Sequence, residues 1–193
     1  PYADSALGKV YKDSLKLNSG GVTSSPVQFY APSNDAVRFM ASPVFFEEKL
    51  VGILAFQLPL HQIDEMLQNR EGMGETGESY LVDKNSFLML TQSRFQREST
   101  VLKQQVDHKP VQLAAQSQTG FLVDKNYRGV SVASAFQPVS YFGQTDILVS
   151  EINENEAIQA VVQLRKNLAY IGIAVALAVL LIAFFMARTL ANP

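Results

Sequence analysis

Twenty consecutive residues near the end of the chain, Leu168 to Ala187 (LAYIGIAVALAVLLIAFFMA), contain no charge and no proline. As an α-helix rising about 1.5 Å per residue they would cover roughly 30 Å, the thickness of a bilayer's hydrocarbon core. Eleven of the twenty are Leu, Ile, Val or Phe. Each favours insertion by about 0.3–0.6 kcal/mol, so together they supply roughly 3–7 kcal/mol with no charged residue in opposition. A buried helix of a water-soluble domain usually carries polar residues along one side. The expectation is a membrane span over 168–187.

The flanks constrain the rest. Asn153-Glu154-Asn155-Glu156 places an N-cap residue three positions before an acid, the pattern of a capping box. Ala157, Ile158, Val161, Val162 and Leu164 then form an apolar stripe that ends at Arg165, Lys166 and Asn167. No Gly or Pro intervenes, so one helix is expected from about Glu154 through the bilayer, with a juxtamembrane part over 154–167. A domain joined to a span without a flexible linker suits a transmitter, whereas an anchor needs only a tether.

About 150 residues precede that helix, enough for one domain, or one small domain and part of another. Sixteen basic and eighteen acidic residues are well mixed, and no basic patch speaks for nucleic acid. Cysteine is absent, which removes disulfides and thiol chemistry. The chain opens on PYADSALGKVYK, neither a signal peptide nor a start methionine, and reads as an excerpt of a longer protein.

In order, 5–17 has loose helical periodicity, ended by Asn18-Ser19-Gly20-Gly21. Val27–Tyr30 is a short strand. Val37–Phe46 and Leu50–Leu58 form a hairpin about Glu47-Glu48-Lys49, and a helix with Leu60, Ile63, Met66 and Leu67 on one side runs to about Arg70. Strands are expected at Ser79–Val82 and Phe87–Gln92 around Asp83-Lys84-Asn85-Ser86. A mostly helical Ser93–Ser117 follows, broken at His108-Lys109-Pro110, and then strands Phe121–Asp124, Gly129–Ser140 and Thr145–Ile152.

Gly72, Gly74 and Gly77 make a G-x-G-x-x-G. A dinucleotide fingerprint needs a strand before the glycines and a helix N-terminus after them. Here a helix precedes and a strand follows, so the loop is expected to be a helix-to-strand connection that needs positive φ. A repeat accompanies it: the hairpin and helix beginning at Ala41-Ser42 recur about ninety residues on at Ala133-Ser134, and LVDKN occurs at both Leu81 and Leu122. The fold class expected is α+β, with a PAS-like antiparallel sheet and helices over 78–153, a partial second module over 1–59, a connection over 60–77, and the C-terminal transmembrane helix.

The runs PVFFEEKLVGILAFQLPLHQIDEML, GMGETGESYLV, NYRGVSVASAFQPV and LVSEINENEA, the last leading into the membrane helix, resemble a double Cache extracytoplasmic sensor. Such regions occur in methyl-accepting chemotaxis proteins, sensor histidine kinases and membrane nucleotide cyclases. The resemblance covers nearly the whole chain. It implies a membrane-distal Cache lobe of which 1–59 is the C-terminal part, and a proximal Cache module at 78–153. It also implies a HAMP-like linker starting in 188–193 with its proline at Pro193. The site would be extracytoplasmic, on the cell inner membrane, in a homodimer whose cytoplasmic signalling domain lies further along the chain. Ile152, Asn153, Glu156 and Pro193 would then transmit the signal.

Catalytic chemistry is poorly supplied. His61 and His108 lack metal-spaced partners and are expected at the surface; Asp64-Glu65 and Glu47-Glu48 are adjacent and point apart. No enzyme, metal or cofactor is expected. For a small-molecule ligand, the candidates combining aromatic walls with polar handles are Tyr80, Arg94, Phe95, Tyr127, Arg128 and Ser134 in the proximal module. Tyr30, Arg38 and Met40 are the counterparts in the distal remnant. Core packing for Tyr80 and solvated loop ends for Arg94 and Arg128 are the structural alternatives. Arg165 and Lys166 before the span outnumber Arg188 after it, a charge count favouring a cytoplasmic N-terminal side, against the topology that the resemblance implies. A membrane-anchored adhesion module without signalling is the rival class.

Overall fold

The computed structural model describes residues 3–191, in two units, 3–153 and 154–191. Helix α1 (Ala6–Ser14) starts where Ser5 accepts a hydrogen bond from the Gly8 amide at 3.2 Å, an N-cap. Its buried residues Ala6, Val10 and Ser14 recur every fourth position and so share one face. Ala6 and Val10 pack on Val37, Phe39 and Ala41.

Those three belong to β3 (Asp35–Phe46), the centre of the first sheet. One edge of β3 carries β4 (Lys49–Pro59); the other carries β2 (Gln28–Tyr30) and β1 (Thr23–Ser24), all antiparallel. Glu47 and Glu48, both at positive φ, form the two-residue turn between Phe46 and Lys49. Along β4, Leu50, Val51, Leu54, Phe56 and Leu58 stand exposed. Helix α2 (His61–Leu67) follows.

The second sheet has the order β5-β8-β7-β6 and is wholly antiparallel: β5 (Glu78–Asp83), β6 (Gly120–Lys125), β7 (Ser131–Tyr141) and β8 (Gln144–Asn153). Its inner face buries Tyr80, Val82, Phe136, Ile147 and Val149 against Met89, Val106, and Val111 and Ala114 of α3 (Lys109–Ala115). The expected repeat is visible as two long hairpins, β3–β4 and β7–β8, each followed directly by a helix. The two LVDKN copies both run from strand into turn but hold it differently. Asp83 accepts from the Asn85 and Ser86 amides in the first, whereas Asn126 Oδ1 accepts from the Arg128 and Val130 amides in the second.

Three expectations are corrected. The strand expected over 87–92 is reduced to isolated bridges, Val82 with Met89 and Leu88 with Gln105, because Phe87 adopts a positive φ that breaks the extended run. The largely helical 93–117 is helical only over Lys109–Ala115. Its polar side chains take the backbone's hydrogen bonds instead: Gln92 Nε2 donates to the carbonyls of Ser93, Gln96 and Glu98, and Thr100 Oγ1 accepts from the Ser93 amide. Pro110 therefore begins a helix rather than interrupting one. The N-cap bond expected from Asn153 is not made, since its Oδ1 is buried without a hydrogen-bond partner among the described residues and its amide donates to Thr76 Oγ1 at 3.1 Å.

Unit 154–191 is one helix, α4 (Glu154–Ala191), with Glu154 and Glu156 in its first turn, where acids oppose the helix dipole favourably. Its stretch Glu154–Phe184 is long and apolar enough to cross a membrane, and Ile171, Leu177, Leu181 and Phe184 present open apolar surface. The expectations resting on the side chains of Val161 and Arg188, and on Pro193, lie outside the described residues.

Candidate functional site

At one level the inner face of the second sheet turns from apolar to polar. Glu78 is the register partner of Glu151, and Glu151 of Ser134, so the three form one row across β5, β8 and β7. None is more than 2% exposed. Burying a carboxylate costs several kcal/mol unless partners meet it, and the segments above the sheet supply them.

Glu78 Oε1 accepts from the Arg94 amide at 3.0 Å, and Oε2 from the Tyr127 hydroxyl at 2.8 Å. With its proton committed to Glu78, the Tyr127 oxygen receives the Ser93 hydroxyl at 2.6 Å. Glu151 Oε2 accepts from the Tyr80 hydroxyl at 3.0 Å, while Oε1 accepts from Asn126 Nδ2. Asn126 is held by the turn it builds, and Gly129 supplies the positive φ that closes that turn. Arg128 stacks on the Phe95 ring, 3.9 Å from its centroid, with Nη2 4.0 Å from Glu151 Oε1. Arg94 reaches the other way, donating to the carbonyls of Gly77 and Glu75, and so ties the glycine connection to this cluster.

The six proximal candidates thus lie around one place, Arg94 joining it through its backbone amide. Tyr80 is at once core and donor, and Arg94 and Arg128 are anchored rather than solvated loop ends. The sequence reading missed Glu78, Glu151, Ser93 and Asn126. It also set His108 at the surface, whereas His108 is 8% exposed, because it stands at the start of α3 over the sheet with Nε2 3.9 Å from Glu151 Oε2. Distal candidates separate: Tyr30 packs edge-on against Phe39 at 5.0 Å, and Met40 lies within β3. Arg38 spans the two sheets. Its Nη2 meets both Asp146 oxygens at 3.0 and 2.9 Å, its guanidinium lies 4.6 Å from the Tyr141 ring centroid, and the Tyr141 hydroxyl donates to Asp146.

Burial sets the electrostatics. It pushes the Glu151 carboxyl up to about 7, only partly offset by the hydrogen bonds from Asn126 and Tyr80, and the Glu78 charge adds to the rise. Burial lowers His108 despite Asp124 and Asp107, so its approach to Glu151 is not an ion pair at neutral pH. Tyr80 is raised well above its ordinary range, by burial first and then by Glu151. Several groups around Glu151 have no hydrogen-bond partner among the described residues: both ring nitrogens of His108, Arg128 Nε and Nη2, and Ser134 Oγ. The glycine loop is followed by strand β5, so it has no helix start with which to hold a phosphate. Among the described residues no group of three or more His, Asp or Glu could hold a metal.

No protein-family model matches the chain, and no curated protein matches it. Solved structures do. The periplasmic sensory domain of the Campylobacter jejuni chemoreceptor Tlp1 is 13% identical with a TM-score of 0.62, over 79% of this chain and 56% of that one. The ligand-binding domain of the Pseudomonas aeruginosa chemoreceptor PctC, in complex with GABA, is 19% identical with a TM-score of 0.53, over 78% and 63%. The extracellular domain of mmHK1S-Z2, described as a histidine kinase, is 18% identical with a TM-score of 0.57, over 80% and 57%. The chain therefore spans less than two thirds of the length of these domains. With its antiparallel sheets, covering helices and C-terminal apolar helix, it has the Cache-like fold of the extracytoplasmic sensory domains of chemoreceptors and histidine kinases.

Proposed function

We propose that the chain is the ligand-sensing extracytoplasmic region of a transmembrane receptor, chemoreceptor-like, that passes a binding signal to a cytoplasmic output domain. The observation that carries this is the junction: β8 ends at Asn153 and α4 begins at Glu154, with no residue between a strand of the sensory sheet and the apolar helix. A displacement of β8 then has no slack in which to be lost. In this reading residues 1–59 end a distal lobe and 78–153 form the proximal one, in the cell inner membrane with the sheets outside. A small molecule is recognised around Tyr80, Arg94, Phe95, Tyr127, Arg128 and Ser134. Ile152, Asn153 and Glu156 carry the motion onward, and Pro193 continues it. A kinase output is the second reading, favoured by the histidine kinase domain among the similar structures.

Inserting Gly-Gly-Ser after Asn155 is expected to leave expression, insertion and thermal unfolding as they were, and to remove the dependence of output on stimulus. A stimulus response of unchanged size in that variant rules the transmitter out in favour of an anchored binding module.

Transmission by a helix of this kind works through a pair, so a homodimer with parallel α4 helices is part of the proposal. Single cysteines placed through 157–166 should crosslink with a period of about 3.6 residues. A flat profile in membranes identifies a monomer.

A further inference from the structure

The hydrogen bonds that meet Glu78 and Glu151 leave one conflict in place. The two carboxylates lie directly cross-strand on a buried face, where like charges repel strongly. Beside them, Arg128 turns an unpaired Nε and Nη2 into the buried interior, the edge that grips a carboxylate with two parallel bonds. Yet Nη2 stops 4.0 Å from Glu151 Oε1, beyond hydrogen-bond reach. A fully charged Glu151 would draw that fork in. With Arg128 standing off, a proton taken up by the pair is what would relieve the repulsion between the two acids.

We propose that the Glu78–Glu151 pair is a proton-binding switch whose moving part is the Asn126–Gly129 turn: with the proton bound Arg128 stands off, and with the proton lost Arg128 closes onto Glu151. The groups facing Glu151 are Glu78 and Tyr80 from β5, and Asn126, Tyr127 and Arg128 from the turn. The start of α3 adds His108, itself acted on by Asp107 and Asp124, and Arg94 comes from the segment after Gln92. Ser134 completes the row with a hydroxyl free to take a new partner. Glu151 lies two residues before the end of β8, so a change in its bonding acts next to the start of α4.

The titration of Glu151 near about 7 agrees with this geometry. The folded chain holds this proton more tightly than the unfolded chain. The stability it contributes is therefore complete in the ordinary carboxylate range and is lost as pH rises through about 7. His108 has the opposite sign, since its neutral form is favoured on folding and stability falls as pH drops below about 6.5. Only the signalling consequence rests on the sensory reading above; the proton switch does not.

The test uses the full chain in lipid nanodiscs. The infrared carbonyl band of protonated carboxylic acids, recorded as pH is stepped, should lose one acid with a midpoint near about 7. That loss should be absent from Glu151→Gln and moved to lower pH in Glu78→Gln, which removes the neighbouring charge. Hydrogen exchange at the Arg128 and Gly129 amides should slow above the same midpoint. If Glu151→Gln does not fold, the wild-type titration with isotope-labelled glutamate and the Glu78→Gln shift decide the matter. A wild-type chain with no protonated acid above about pH 5 overturns the proposal, as does a band that Glu151→Gln leaves intact or turn exchange indifferent to pH. A titration present as described alongside output that ignores pH counts against the receptor reading and leaves the switch standing.

Discussion

Arg38→Ala is expected to destabilise the chain by roughly 3–5 kcal/mol, the range for removing one partner of a buried ion pair. The side chains of Arg38 and Asp146 are 3% and 1% exposed, and they join β3 of the first sheet to β8 of the second. Without the guanidinium, Asp146 keeps the Tyr141 hydroxyl as its one side-chain donor among the described residues and remains buried. The loss should therefore be mostly the penalty on Asp146. Replacing both residues by apolar ones of similar volume, Arg38→Met with Asp146→Leu, should recover most of it. Denaturant unfolding of the two variants tests this. A single variant within about 1 kcal/mol of wild type, the worth of an exposed pair, contradicts the burial argument. A double variant no better than the single one means that the pair positions the sheets rather than merely offsetting its own desolvation. Leu60, Leu81 and Leu90 form an apolar cluster with Val27 and Ala36, so the two sheets meet through apolar packing as well as through charge.

Gly77→Ala is expected to be nearly as damaging, and for a reason different from the one its sequence motif implies. Gly72 and Gly74 have positive φ, 78° and 66°, as a tight connection demands, whereas Gly77 is not among the positive-φ glycines. A Cβ built on Gly77 would lie 2.0 Å from the Met73 carbonyl oxygen, while one on Gly72 meets nothing within 4 Å. Gly72→Ala should then cost about 1 kcal/mol, the strain of a left-handed alanine. Gly77→Ala must push backbone against backbone, which costs about 3 kcal/mol or more. It should also loosen Arg94, which donates to the Gly77 carbonyl, and through it the Glu78 end of the candidate site. Thermal unfolding of the two variants side by side distinguishes the mechanisms. Equal losses would mean that φ, not crowding, governs both positions.

What could be read from the sequence was whatever local periodicity decides. The hairpins β3–β4 and β7–β8 announce themselves by β-branched and aromatic runs around short turns, and α4 by its unbroken apolar composition. Residues 93–107 resisted because their polar composition resembles a solvated helix. Only the tertiary setting reveals that Gln92, Ser93 and Thr100 spend their side chains on backbone groups. The candidate site was half legible for a related reason. Tyr80, Tyr127 and the two arginines draw notice as large groups with polar ends. An acid in a strand reads as a solvent-facing position, and strand alternation alone does not say which face is wet. Pairing does: once Tyr80 and Val149 are inward partners, Glu78 and Glu151, two residues away on each strand, are committed to the same side.

The order of the second sheet, β5-β8-β7-β6, governs how the chain is made. β5 is the first of the four strands to be made, yet its partner is the last, Tyr80 pairing with Val149. Until β8 arrives, Tyr80 and Val82 wait without their strand partners, and the core they share with α3 stays open. Contacts so distant along the chain close slowly. The strand that ends this wait runs at once into a helix apolar and long enough to cross a membrane, so completion of the fold and emergence of α4 fall next to each other in time.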